Sequence, residues 1–81
     1  MAKRKVSPEE RYHRRLLGEL LRSQTVAGET DAEVSAMLGM SLDNFVRVRK
    51  KRPETFKADE IFRAKTHYGW GAEELSRIFV E

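Results

Sequence analysis

A small all-α domain is the fold class this sequence predicts, and three observations carry that expectation. Apolar residues recur at three- and four-residue spacings, the period of a helix with one buried face. Residues that start and stop helices fall between those runs, at Ser7, Thr30, Gly39, Ser41, Pro53, Gly69 and Gly71. No stretch alternates apolar and polar residues as a half-buried strand does, and neither an internal repeat nor a low-complexity tract interrupts the pattern. A chain of 81 residues is one domain. Such a chain buries roughly 60–65% of its unfolded surface, which leaves little room for an enclosed catalytic cavity. We divide it into a flexible basic arm over residues 1–6 and a single compact five-helix domain over residues 7–81.

The first helix opens at Ser7. Its hydroxyl can cap, Pro8 suits the first helical position, and Glu10 completes an S-x-x-E capping box. Tyr12, Leu16 and Leu20, flanked by Leu17 and Leu21, form one apolar stripe. Gly18 weakens this helix, and close approach of another helix is the expected reason for it. Residues 23–29 (SQTVAGE) read as a loop. Thr30 caps the second helix with Glu33 as its box partner, and Val34, Met37 and Leu38 form its apolar side. Gly39 supplies the left-handed position that ends it.

Ser41 caps the third helix, on which Phe45 and Val48 face inward and Leu42 borders them. At 3.6 residues per turn, Asp43, Val46, Arg47 and Lys50 fall on the opposite side. Pro53 stops the helix. A fourth helix is expected over residues 58–68, with Ile61, Phe62, Ala64 and Tyr68 inward. Gly69 ends it, Trp70 plugs the core from the connector, and Gly71 caps a last helix running through Phe79 with Glu73 and Glu74 in its first turn. The expected core is Leu20, Val34, Leu38, Phe45, Val48, Ile61 and Leu75.

The net charge of +3 is modest, but its distribution is uneven. Lys3, Arg4, Lys5, Arg11, Arg14 and Arg15 crowd the N-terminus, and Arg47, Arg49, Lys50, Lys51 and Arg52 crowd residues 47–52. The remainder is acidic. Two basic segments on an acidic body read as a polyanion-binding face, or as solvated helix charge. Without cysteine there is neither a disulfide framework nor a thiolate metal site, as in a reducing cytosol. No apolar run approaches the ~20 residues a bilayer span needs, and the charged N-terminus is not expected to act as a secretory signal. His13 and His67 are isolated, and no carboxylate–histidine spacing suggests a metal or a triad. With no phosphate-cradling glycine loop and no carboxylate pair in a cleft, we expect neither an enzyme nor a cofactor. Tyr12, Phe45, Phe62, Tyr68, Trp70 and Phe79 fall at core spacing rather than as a stacking platform.

Thr30, Glu33, Val34, Ser35, Leu38, Gly39, Met40, Ser41, Phe45 and Val48 follow the pattern T-x-x-E-[LV]-A-x-x-L-G-[VM]-S-x-x-x-[IF]-x-x-[IVL]. In this the chain resembles the helix-turn-helix domains of phage repressors and Cro proteins, the lambda-repressor-like class. The resemblance covers about residues 16–79, with Tyr68, Gly69 and Trp70 where the family usually has leucine-glycine-valine. Departures are Ser35 for a small alanine, Asp31 for a glutamine that often contacts the DNA backbone, Lys51 for a closing glycine, and Lys57 for a capping threonine. The connection between helices one and two also reads one or two residues long. Asp31 is repelled by phosphate, so that contact is not carried over. Lys51 implies a longer helix or a strained turn.

The resemblance implies a helix-turn-helix over about residues 30–52, whose recognition helix, about 42–52, enters the major groove of double-stranded DNA. Its base readers are then Leu42, Asp43, Asn44, Val46 and Arg47. Arg47 can bridge guanine O6 and N7, or pair with Asp43 on the surface. Asp43 can accept from cytosine N4 or simply favour the helix dipole. Leu42 and Val46 suit a thymine methyl, Leu42 equally the core periphery, and Asn44 an adenine or solvent. Lys50, Lys51 and Arg52 are expected phosphate contacts. Lys3, Arg4 and Lys5 form either a DNA-embracing arm or a solubilising terminus. The implied function is a transcriptional regulator, of repressor type, from a phage, mobile element or bacterium, acting in the bacterial cytoplasm at the nucleoid. A homodimer through the last helix is expected, because Ile78, Phe79 and Val80 cannot all face one core. The alternatives are an antitoxin- or antirepressor-like adaptor that keeps the scaffold without base readout, and a sequence-tolerant nucleic-acid binder.

Overall fold

The computed structural model describes residues 8–79. The Ser7 cap, the arm residues Lys3, Arg4 and Lys5, and Val80 lie outside the described residues. Helix α1 spans Pro8–Ala27, α2 Asp31–Leu38, α4 Ala58–Tyr68 and α5 Ala72–Phe79. Helix α3 begins as an α-turn over Leu42–Asn44 and continues as a π-turn over Phe45–Arg49, followed by a 3-10 turn over Pro53–Thr55. The described residues are thus all-helical, with five helices and no strand.

Local chemistry sets most of the boundaries. Thr30 Oγ1 accepts from the Glu33 N–H at 3.2 Å while Glu33 Oε1 accepts from the Thr30 N–H at 2.8 Å, a complete capping box. At the end of α2, Gly39 sits at φ 82° and its N–H reaches the carbonyls of Ser35 and Ala36. A side chain at Gly39 would be strained by that backbone and would also collide with the Arg63 guanidinium, which lies over it and donates to the Leu38 carbonyl at 3.2 Å. Ser41 Oγ then accepts from the Asn44 N–H at 3.1 Å and starts α3. Lys57 offers no side-chain acceptor to α4. Instead Glu60 reaches back and accepts from the Lys57 N–H at 2.9 Å.

Several expectations are corrected. Residues 23–27 are helical rather than a loop, so the connection from α1 to α2 is short, covering only residues 28–30. Nothing in SQTVA breaks a helix. Thr25 Oγ1 returns to the Leu21 carbonyl, and Ser23 Oγ accepts from Trp70 Nε1 at 2.8 Å, holding the extra turn on the domain. Gly18 does not mark a close helix contact, since no atom lies within 4 Å of where its Cβ would stand. Lys51 neither extends the helix nor adopts a left-handed backbone, because no described non-glycine residue has positive φ.

The core joins Leu16 and Leu20 of α1, Val34 and Leu38 of α2, Phe45 of α3, Phe56, Ala64 of α4, Trp70 and Ile78 of α5. Phe45 and Val34 are wholly buried, and each such side chain contributes about 1.5–3 kcal/mol of burial free energy. Val48, Ile61 and Leu75, expected in the core, are only partly buried. Phe62 and Phe79 stand outside it, 66% and 62% exposed. For Val48 the cause is winding. A π-turn advances less per residue than the ~100° of an α-helix. Four such steps bring Arg49 nearly under Phe45, while three steps leave Val48 at the side.

Candidate nucleic-acid interface

Helix α1 packs along α5 and against the 3-10 turn, α2 packs on α4, and α3 packs mainly on α2 and that turn. On the outward face of α3, Leu42, Asp43, Val46 and Arg47 are all exposed. Two i,i+4 stripes run along it. Leu42 and Val46 form an apolar stripe, 46% and 37% exposed, which is a large solvent exposure for aliphatic side chains. Beside it Arg47 and Asp43 form an ion pair, Nε to Oδ1 at 2.8 Å, with both side chains mostly in solvent. Together with Asp31 and Ala32 at the start of α2, these residues border an open groove of about 540 Å³. Asn44 is only half-buried, and its backbone N–H is the donor to the Ser41 cap.

The basic run after Phe45 is divided by the fold. Arg49 is inward, 8% exposed, and its Nε and one terminal nitrogen each donate to a different oxygen of Glu60 at 3.2 Å. A buried guanidinium needs such a two-pronged partner, and the pair ties α3 to the first turn of α4. Lys50, expected on the outward side, is instead half-buried. Its Nζ donates to both carboxylate oxygens of Asp31 at 3.0 Å and lies 5.4 Å above the Phe45 ring centroid. Gln24 Nε2 donates to the same Asp31 at 2.8 Å, so the added turn of α1 joins this cluster. Hydrogen bonding from Gln24, then from Lys50, holds the Asp31 carboxyl below its usual range. Of the expected phosphate contacts among the described residues, Lys51 and Arg52, just past α3, are the exposed ones. Lys51 lines a cleft with Lys50, His13 and Arg14, which Glu10 and Glu54 also border. Arg14 reaches Glu10 at 3.8 Å.

Neither histidine is isolated in the fold. His13 Nδ1 lies 2.7 Å from the Glu9 carbonyl. His67 Nε2 lies 2.7 Å from Glu29 Oε2, and Tyr68 donates to the other Glu29 oxygen at 2.8 Å. These bonds, His67 first, hold the Glu29 carboxyl down. Burial, then Glu29, pushes the Tyr68 hydroxyl up. This cluster anchors the short connector before α2 to the end of α4, and so positions Thr30. No group of three His, Asp or Glu side chains among the described residues could hold a metal ion, and no described helix is long and apolar enough to cross a membrane.

Sequence reasoning missed Glu60 and Gln24 as supports of the site. Glu60 carried a signal, since it stands three residues after Lys57 in a helix start without a capping side chain. Gln24 carried none, because its partner Asp31 belongs to another helix. Comparison of the chain with protein-family models, with curated proteins and with solved structures finds no match.

Proposed function

We propose that this chain is a double-stranded DNA-binding regulator of phage, mobile-element or bacterial origin, acting as a lambda-repressor-like helix-turn-helix domain. The carrying observation is the uncovered outer face of α3, with Leu42, Asp43, Val46 and Arg47 projecting from a helix whose opposite side is held by Phe45 and Arg49. Such a face offers donors, an acceptor and apolar groups to base edges in a major groove. Lys51 and Arg52 at its end, with Arg14 across a cleft from Lys51, suit the flanking phosphates. We place the protein at the bacterial nucleoid. A second copy joins through α5, where Phe79 stacks on Tyr12 at 5.1 Å and, with Phe62, borders an apolar groove of about 330 Å³. Two-fold pairing sets half-sites roughly 34 Å apart.

One observation favours a second reading. Asp43 and Asp31 neutralise Arg47 and Lys50, so the α3 face is charge-balanced beside an apolar stripe. That composition also suits a protein partner, the adaptor role. Titration of a duplex recovered from a random pool, beside a random duplex, at two salt concentrations separates the two. DNA reading requires tighter binding of the recovered duplex and an affinity that falls by ~0.9 log unit per log unit of salt for each phosphate contact. No preference and no salt dependence would leave the adaptor.

A further inference from the structure

We infer that Asp43 and Arg47 act as one composite reader of a G·C base pair, with Asp43 as the specificity-determining residue that rejects A·T. This rests on α3 being the major-groove helix.

Arg47 meets Asp43 through Nε, at 2.8 Å to Oδ1. That contact leaves the two terminal amino groups of the exposed guanidinium as an unpartnered fork. It also leaves Asp43 Oδ2 as an acceptor on the same side of the helix. Neither residue has another hydrogen-bond or ion-pair partner among the described residues, and their side chains are 76% and 72% exposed. The pair therefore presents donor, donor and acceptor in sequence along one turn of α3.

The major-groove edge of a G·C pair presents acceptor, acceptor and donor: guanine N7, guanine O6 and cytosine N4. The two patterns are complementary. An A·T pair presents acceptor, donor and acceptor, ending in the thymine O4 and methyl. Against that edge the Arg47 fork meets a donor at adenine N6, and the Asp43 carboxylate meets an oxygen. Both mismatches bury like against like, so discrimination comes from repulsion as much as attraction. Arg47 alone could bridge guanine, but without Asp43 its long side chain swings freely and nothing tests the cytosine. The adjacent stripe of Leu42 and Val46, with Ala32 across the groove, is apolar. It suits the methyl of a thymine one step away.

The test uses the whole chain and a randomised duplex pool. Wild type, Asp43→Ala, Asp43→Asn and Arg47→Ala each select duplexes from the same pool, after thermal melting confirms that all are folded. The wild-type pool should fix one G·C pair per half-site. Asp43→Ala should bind random duplex at least as well as wild type, since a negative charge is gone. Its preference for G·C over A·T at that pair should fall about tenfold, within the range of a lost bidentate-grade contact. Arg47→Ala should lose the preference altogether. In the wild-type duplex, replacing the fixed guanine by 7-deazaguanine should weaken binding for the Asp43 variants as for wild type, because N7 faces Arg47. Replacing the neighbouring thymine by uracil should cost about fourfold, the value of one buried methyl.

If Asp43→Ala selects the same sequences with the same stringency, the composite reader is wrong while the DNA reading stands. If wild type fixes an A·T pair at the position Arg47→Ala relaxes, the proposal is also wrong. If wild type enriches no duplex at all, the DNA reading and this proposal fall together.

Discussion

Glu60→Ala should be among the most damaging single changes in this domain, although glutamate is usually a surface residue. In the folded chain Glu60 is 7% exposed, and its partner Arg49 is 8% exposed. Removing the carboxylate strands a largely buried guanidinium without its partner. Breaking a buried pair from one side costs about 3–5 kcal/mol, mostly the desolvation of the charge left behind. The same substitution strips the Lys57 N–H of its acceptor at the start of α4, which adds about 1 kcal/mol. For a chain of 81 residues, total stability is about 4–12 kcal/mol. The variant should therefore melt at least ~16 °C lower, taking ~4–8 °C per kcal/mol for a domain of this size. Replacing both partners, as Arg49→Met with Glu60→Leu, removes the stranded charge and should recover most of the loss. Thermal melts followed by far-ultraviolet circular dichroism read both variants. If Glu60→Ala melts within a few degrees of wild type, Arg49 is not held inward. The π-turn account of α3, and with it the outward assignment of Arg47, would be wrong.

Asp31→Asn should strengthen binding to random duplex and steepen the salt dependence by about one unit, because Lys50 then turns to a phosphate instead of a carboxylate. An unchanged slope would place the Asp31–Lys50 pair off the DNA path. Glu29 and Asp31 have carboxyls held below their ordinary values of 4.5 and 3.8. Their contribution to stability is thus complete above those values and is lost as pH falls through the lower folded-state values. Glu29→Gln should flatten the acid limb of a stability–pH profile, and parallel acid limbs for variant and wild type would show that the His67 and Tyr68 bonds do not matter in solution.

Much of this fold was legible because its punctuation is local. Thr30 with Glu33, Gly39, Ser41, Pro53 and Gly69 each act within about four residues, so their chemistry could be read in order along the chain. Illegible features depend on distance or on winding. Lys50 meets Asp31 and Arg49 meets Glu60 across separate helices, and no periodicity announces which cation will be captured. The π-turn also defeats a count at 3.6 residues per turn, which placed Val48 inward and Lys50 outward, whereas both are half-buried. The end of α1 was misread for a different reason. SQTVA is a weak helix former, and only Trp70 on Ser23 and Gln24 on Asp31 hold it. Phe62 and Phe79 were expected inside because aromatic residues at helical spacing usually are. The small core is already filled from other positions by Phe45, Phe56 and Trp70.

The central claim is that α3 presents its outer face to a DNA duplex. Backbone amide chemical shifts of the isotope-labelled chain, followed while a duplex recovered from a random pool is added, test it residue by residue. The account predicts the largest changes at residues 42–47 and 51–52, with smaller ones around Arg14. Changes concentrated instead around Phe62 and Phe79, or no change at residues 42–47 at saturation, would contradict it.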